Sequence, residues 1–284
     1  MNPLSEITLL VTRELRRNFR SAKGLILLAL CVLMAAGAAM VLVNLEHSAA
    51  DLARRGHRGS GVALSVGGIE ATRKMLESAY SEAVADRLAA VPRIVLTMMM
   101  GATFFAPLFV ALLSFDSVSA ELQFRSVRYW TVRMRRGSFF LGKVAGVFLV
   151  AATATLVAQA IAWSIAIVRG GTDVADTLRW GLILWATILP ILLAWCSMAV
   201  FVSALFRAPI VALMTNFACN VALWVCWVSS VRDHQWLRWV YPNHADSFLL
   251  SGDPIDLATG VGACLAFAAA FWVGGVVIFQ KRDL

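Results

Sequence analysis

The sequence predicts an all-α polytopic membrane protein with six transmembrane helices, and three observations carry that expectation. The 284 residues are 60% hydrophobic and 15% charged, against roughly 25% charged in an ordinary soluble domain. Six windows hold no Asp, Glu, Lys or Arg: 24–45, 94–113, 144–168, 181–206, 208–230 and 257–279. Each has at least the roughly 20 residues with which a helix crosses a hydrocarbon core of about 30 Å. The third observation is where the charges fall. With the N-terminus inside, the inner segments hold 14 Lys and Arg against 5 acids, and the outer segments hold 11 against 12. Basic residues are retained on the cytoplasmic side, so the expected orientation is N-in and C-in. Topology then accounts for the net charge of +8, and no nucleic-acid partner is expected.

Taken in order, residues 1–23 place Leu4, Ile7, Val11, Leu15 and Phe19 at steps of three and four, with Arg13, Arg16, Arg17 and Arg20 on another face. This reads as an elbow helix in the membrane interface whose arginines meet lipid headgroups. The stretch is too long for the n-region of a signal peptide, and the first apolar window exceeds an h-region. The outer segment 46–93 is loop-like through Gly56, Gly59, Gly61, Gly67 and Gly68. Beyond Ile69, Leu76, Tyr80, Val84 and Leu88 share a face and predict an external helix ending by Pro92. Between the fourth and fifth windows stands only Arg207; read as one helix they would extend about 75 Å. Pro209 cannot continue the helical ladder, so a tight reversal is expected there. The segment 231–256 sets Trp236, Trp239 and Tyr241 near Pro242, which suits interfacial or re-entrant pieces.

All five cysteines fall inside the windows, and the four histidines (His47, His57, His234, His244) fall outside without helical pairing, so neither a disulfide framework nor a metal site is expected. The windows contain no Asp, Glu, Lys, Arg or His, whereas ion-coupled carriers and intramembrane proteases place such groups at depth. What remains is mild polarity: Thr97 and Thr103, Gln159, Thr215, and Asn216 with Asn220 one turn apart. These amides serve either hydrogen bonding between helices or contact with a cargo. The stripe Gly262, Ala266, Ala270, Gly274 predicts close helix packing.

The inner segment 114–143 is the longest and most basic of its side. Asp116 or Ser117 is placed to cap a short helix in which Glu121 and Arg125 are spaced as an i,i+4 ion pair. It closes on GSFFLGKV, 137–144, which fits seven of the eight positions of a phosphate-binding loop. No strand precedes it and Val144 stands where a Ser or Thr would hold magnesium. Gly142 and Lys143 read instead as a hinge and a headgroup anchor at the inner end of the third span.

The stretch ELQFRSVRYWTVRMRRGSFFLGK resembles the segment that follows the second helix in ABC type 2 transporter permeases, and the terminal FQKRDL is similar to the F-x-x-R-D ending common among them. Together the blocks cover about thirty residues. The resemblance implies a half-transporter in the bacterial inner membrane. Two six-helix permease subunits, identical or related, would sit on separately encoded ABC ATPase subunits that hold ATP and Mg, with no cofactor in this chain. It implies that the inner loop forms a coupling helix, in which Glu121, Arg125, Ser126, Arg128 and Tyr129 carry motion from the ATPase. Arg125 stands where many relatives have glycine, and Met134 follows Arg133 where they have proline. It further implies that spans two and five line the substrate path, which singles out Thr97, Met98, Thr103, Asn216 and Asn220. Two other classes remain beside this one. An integral membrane enzyme would need a nucleophile with its base, or a metal cluster; a membrane scaffold would need neither.

Overall fold

In the computed structural model, which describes residues 3–55, 73, 76, 77, 80–126, 129, 134–170, 172–229 and 235–281, ten α-helices and no strand occur among the described residues. They are α1 (Pro3–Arg20), α2 (Ala22–Arg55), α3 (Glu82–Ala89), α4 (Arg93–Ser114), α5 (Ser119–Gln123), α6 (Arg136–Gly170), α7 (Val174–Leu205), α8 (Pro209–Ser229), α9 (Asp246–Leu250) and α10 (Pro254–Lys281). Two 3₁₀ turns, Gln235–Val240 and Pro242–Ala245, stand between α8 and α9. Helices α2, α4, α6, α7, α8 and α10 are long and apolar enough to cross a membrane, and each covers one of the six charge-free windows to within a residue at either end. This is the build of a multi-pass membrane protein.

Local chemistry sets the helix ends. Asp173 Oδ2 accepts the Asp176 N–H at 3.0 Å and caps α7. Pro209 and Pro254 open α8 and α10, where a missing N–H costs nothing. The expected reversal at Arg207 is present, with α7 ending at Leu205. Two edges differ from expectation. Helix α2 continues past Leu45 to Arg55, and α6 starts at Arg136, ahead of Val144. A charge-free window measures what can cross hydrocarbon, whereas Arg and Lys are good helix formers and do not end a helix. Gly142 and Lys143 are therefore interior to α6, neither hinge nor headgroup anchor.

Helix α7 is the axis of the bundle. It is buried over 72% of its most apolar stretch, against 11% for α2 and α8 and 17% for α10. One core gathers Leu113, Phe139, Phe140, Trp195 and Phe279. A second gathers Val84, Leu88, Ile94, Trp163 and Leu184, which seats α3 on the bundle. Leu76, Val84 and Leu88 are buried as their shared face predicts; residues 56–72 lie outside the described residues. The small-residue stripe of α10 is a correction. Gly262, Ala266 and Ala270 are exposed and of the stripe only Gly274 packs, a Cβ there lying 3.1 Å from the Phe201 ring; the packed face is the neighbouring one, Gly260, Cys264, Ala268, Gly275 and Phe279.

Candidate functional site

The most polar part of the interior lies where α1, α5 and the start of α6 meet, at what is called here the basic end of the bundle. Gly142 and Gly146 leave α6 without side chains on one face. A Cβ added there would come within 2.8 Å of Leu10 Cβ and 2.6 Å of Glu14 Cβ. That close approach lays Glu14 against Lys143. The Lys143 ammonium, fully buried, donates to Glu14 Oε1 at 2.6 Å, to Glu121 Oε1 at 2.5 Å and to the Ser117 carbonyl at 3.0 Å. Arg13 Nη1 reaches the same Glu121 oxygen at 3.2 Å. Beside this cluster Asp116 accepts from Lys23 and, at 3.1 Å, from Arg17. One cation holding two carboxylates from different elements fixes their arrangement more than it adds stability, since desolvating the charges offsets most of the attraction.

Helix α5 is held from α7. Ser203 Oγ accepts the N–H groups of Val118 and Ser119 at 3.2 and 3.1 Å and donates to the Phe115 carbonyl at 2.8 Å. It does the capping expected of Asp116 or Ser117, whose neighbours are instead the cations of α1, α2 and α6. After Gln123 the chain turns at Arg125, whose φ of 54° is left-handed. Glycine enters that region without steric cost, whereas Arg125 carries a Cβ there. The i,i+4 pair of Glu121 and Arg125 does not form, because α5 ends between them and Glu121 turns inward to Lys143. Ser126 Oγ donates to the Glu121 carbonyl at 3.3 Å and steadies the turn. Beyond it Phe124 and Tyr129 stand 76% and 77% exposed. Arg128 and Arg133 lie outside the described residues, as do residues 282–284.

The site thus brings together Glu121, Ser126, Arg13, Arg17 and Lys143, and it leaves Arg125 and Tyr129 outward. Of the expected headgroup anchors only Arg16 and Arg20 are exposed; Arg13 and Arg17 turn to the acids of the connector, and Lys143 is interior. Sequence reasoning missed Phe124, Glu14 and Ser203. One signal was present: Glu6, Leu10, Glu14 and Asn18, all buried, recur every four residues, a polar inner face that the search for an apolar stripe passed over.

The candidate path residues do not share one space. Thr97 is exposed and its hydroxyl donates to its own helix at Arg93 O, while Met98 and Thr103 are packed inward. Asn216 is fully buried and donates to Ala199 O of α7 at 3.4 Å and to Ala212 O at 3.2 Å. Asn220 donates to Pro107 O of α4 at 3.2 Å. Both amides therefore tie helices together. Their Oδ1 atoms are buried without a hydrogen-bond partner among the described residues.

A family model described as "Protein of unknown function (DUF2705)" matches residues 69–284. No curated protein matches the chain.

Proposed function

Because the chain belongs to this family of unknown function, its role has to be argued from the site, and we propose that it is the membrane subunit of an ATP-driven ABC exporter in a bacterial inner membrane. Its basic end faces the cytoplasm, and it works with a second permease subunit and with separate ATPase subunits that carry ATP and Mg. The observation that carries this reading is the connector between the second and third spans: two exposed aromatic side chains, Phe124 and Tyr129, on a turn whose root is locked to three other elements. A surface that only needs to be wet has no use for either feature. Exposed aromatics beside a rigid root are what a partner's apolar groove requires. A displacement applied at Phe124 passes through Glu121 and Lys143 to α1 and α6, and through Ser203 to α7, the most buried span.

The lipid bilayer holds the exposed faces of α2, α8 and α10, and Arg16 and Arg20 meet its headgroups. Asn216 and Asn220 reach cargo only in a state in which α8 has moved off α7 and α4. The reading is tested by co-expressing the chain with the ABC ATPases of its own organism, purifying any complex and replacing Phe124 and Tyr129 by Ala. Loss of an aromatic anchor of about 2 kcal/mol weakens the complex roughly thirtyfold, and it leaves the melting temperature of the isolated chain unchanged. Undiminished ATPase binding and hydrolysis in the double variant overturns the reading.

A further inference from the structure

Helix α4 contains Pro107 about two-thirds of the way along. Proline has no N–H, so the carbonyl four residues earlier, that of Thr103, lacks its helical donor. In hydrocarbon such a carbonyl has no water to turn to and must find a partner within the protein. It finds Asn243, whose Nδ2 donates to Thr103 O at 2.9 Å. Asn243 arrives from outside the helix bundle, on the 3₁₀ turn Pro242–Ala245, and meets α4 about 15 Å along its axis from Arg93. Its amide orientation is fixed from the other side, since Trp195 Nε1 of α7, a group that can only donate, is 2.7 Å from Asn243 Oδ1. Tyr241 stacks between Trp195 and Trp227, with ring centroids 5.6 and 5.7 Å apart, and anchors the turn. On the far side of the break, Pro107 O takes the Asn220 amide of α8. The interruption in α4 is therefore clasped from both sides by side chains of two other elements.

We propose that Pro107 is a hinge and that the 242–245 turn is a releasable clasp upon it, with Asn243 as the positioning residue that holds the two halves of α4 in register. A carbonyl freed by proline can be satisfied by a neighbouring helix or by a Ser or Thr hydroxyl, neither of which can leave without moving a span. Here the replacement donor comes from a separate 3₁₀ turn, tied to the bundle by Asn243 and Tyr241 and followed by Asp246, whose Oδ2 accepts from Tyr80 Oη at 3.1 Å. When the clasp lets go, the α4 half that begins at Arg93 swings about Pro107 while the half that ends at Ser114 stays with the connector. The mechanical claim stands by itself; its use as the gate on the side opposite the ATPase rests on the exporter reading.

The test is a double-mutant cycle read by amide hydrogen exchange of the full chain in lipid nanodiscs. Asn243→Ala is expected to speed exchange of the amides between Phe104 and Ala111 about tenfold, the effect of one lost hydrogen bond of ordinary net strength, with α6 unaffected. Pro107→Ala restores an N–H to Thr103 O. In that background Asn243→Ala should change the same amides less than twofold, although Trp195 still loses its acceptor. Asn220→Ala, which removes only the second contact, gives a smaller acceleration and serves where Asn243→Ala does not fold. Unchanged exchange in both single Asn variants, or an Asn243 effect undiminished by Pro107→Ala, overturns the proposal. Failure of the exporter reading appears differently, as wild-type chain that binds no ATPase, and leaves the cycle intact.

Discussion

Lys143 decides more about the basic end than any other single residue. It is fully buried with two carboxylates, one 129 and one 22 residues away in sequence. Removing the ammonium leaves Glu14 and Glu121 with only the partly exposed guanidiniums of Arg17 and Arg13 beside them, and breaking a buried ion pair on one side costs about 3–5 kcal/mol. Lys143→Met should therefore melt far below the wild type. Adding Glu14→Gln and Glu121→Gln should restore most of the loss, because the three neutral side chains no longer pay for desolvation; a triple variant no more stable than the single one would show that packing, not charge, is at stake. Arg125 offers the opposite kind of test. A left-handed residue with a Cβ carries about 1–2 kcal/mol of steric cost, and glycine gives back part of the relief through its freer unfolded chain. Arg125→Gly should be neutral or more stable by about 1 kcal/mol, and Arg125→Val less stable, in thermal melts. These two residues also mark what a sequence can and cannot carry. The left-handed turn at Arg125 was not legible, because an arginine carries none of the local signal that a glycine would give there. The partner of Glu121 was misassigned to Arg125, because periodicity records neighbours along a helix and says nothing about a lysine that only helix packing brings near.

At the scale of elements, the seating of α1 on α6 depends on two missing side chains. Gly146→Ala puts a methyl group 2.6 Å from Glu14 Cβ, and Gly142→Ala one 2.8 Å from Leu10 Cβ. Real contacts are never that short, so α1 must shift, at about 1–3 kcal/mol for an overpacked site. Both variants should lower the melting temperature and, on the exporter reading, impair ATPase stimulation while leaving Phe124 and Tyr129 in place. The same reasoning by contact applies at the other end, where Tyr80 Oη donates to Asp246 Oδ2 at 3.1 Å and joins the outer segment to α9. Burial pushes the Asp246 carboxyl up to about 6 from 3.8, with the Tyr80 hydrogen bond pulling the other way. The folded chain thus holds this proton more tightly than the unfolded one. The stabilisation is complete below about pH 4 and is lost as pH rises through about 6. The loss is on the order of 3 kcal/mol. Melts between pH 4 and 7 should show this slope in the wild type. Asp246→Asn should flatten it and be the more stable chain at pH 7; an unchanged slope would assign the effect elsewhere. The elements themselves were largely legible. Six apolar windows gave six long helices, and the aromatic cluster near Pro242 marked the inward-folded turn. Helix ends were not, since solubility in hydrocarbon and helix propensity are different properties.

For the molecule as a whole, the unequal burial of its spans and the unequal distribution of its charges point the same way. Helix α7 and the inner faces of α4 and α6 make a core, while α2, α8 and α10 turn most of their surface outward. In water that much exposed apolar area would mark an association surface; in a bilayer it is simply solvated by lipid. The exporter reading takes its direction from the charge count, since Lys and Arg resist translocation where acids do not. Phe124 and Glu82 lie on either side of a single span, α4, and both are exposed, so cysteines placed there report opposite faces. The five native cysteines all lie within the long apolar helices, where a membrane-impermeant maleimide does not reach them, and the unsubstituted chain provides the control. Phe124→Cys should be labelled in inverted vesicles and not in intact cells, and Glu82→Cys the reverse. The mirror-image pattern would put the basic end outside, away from any cytoplasmic ATPase, and would remove the exporter reading. Labelling of both from one side would mean that α4 does not cross, and the six-span count would fall with it.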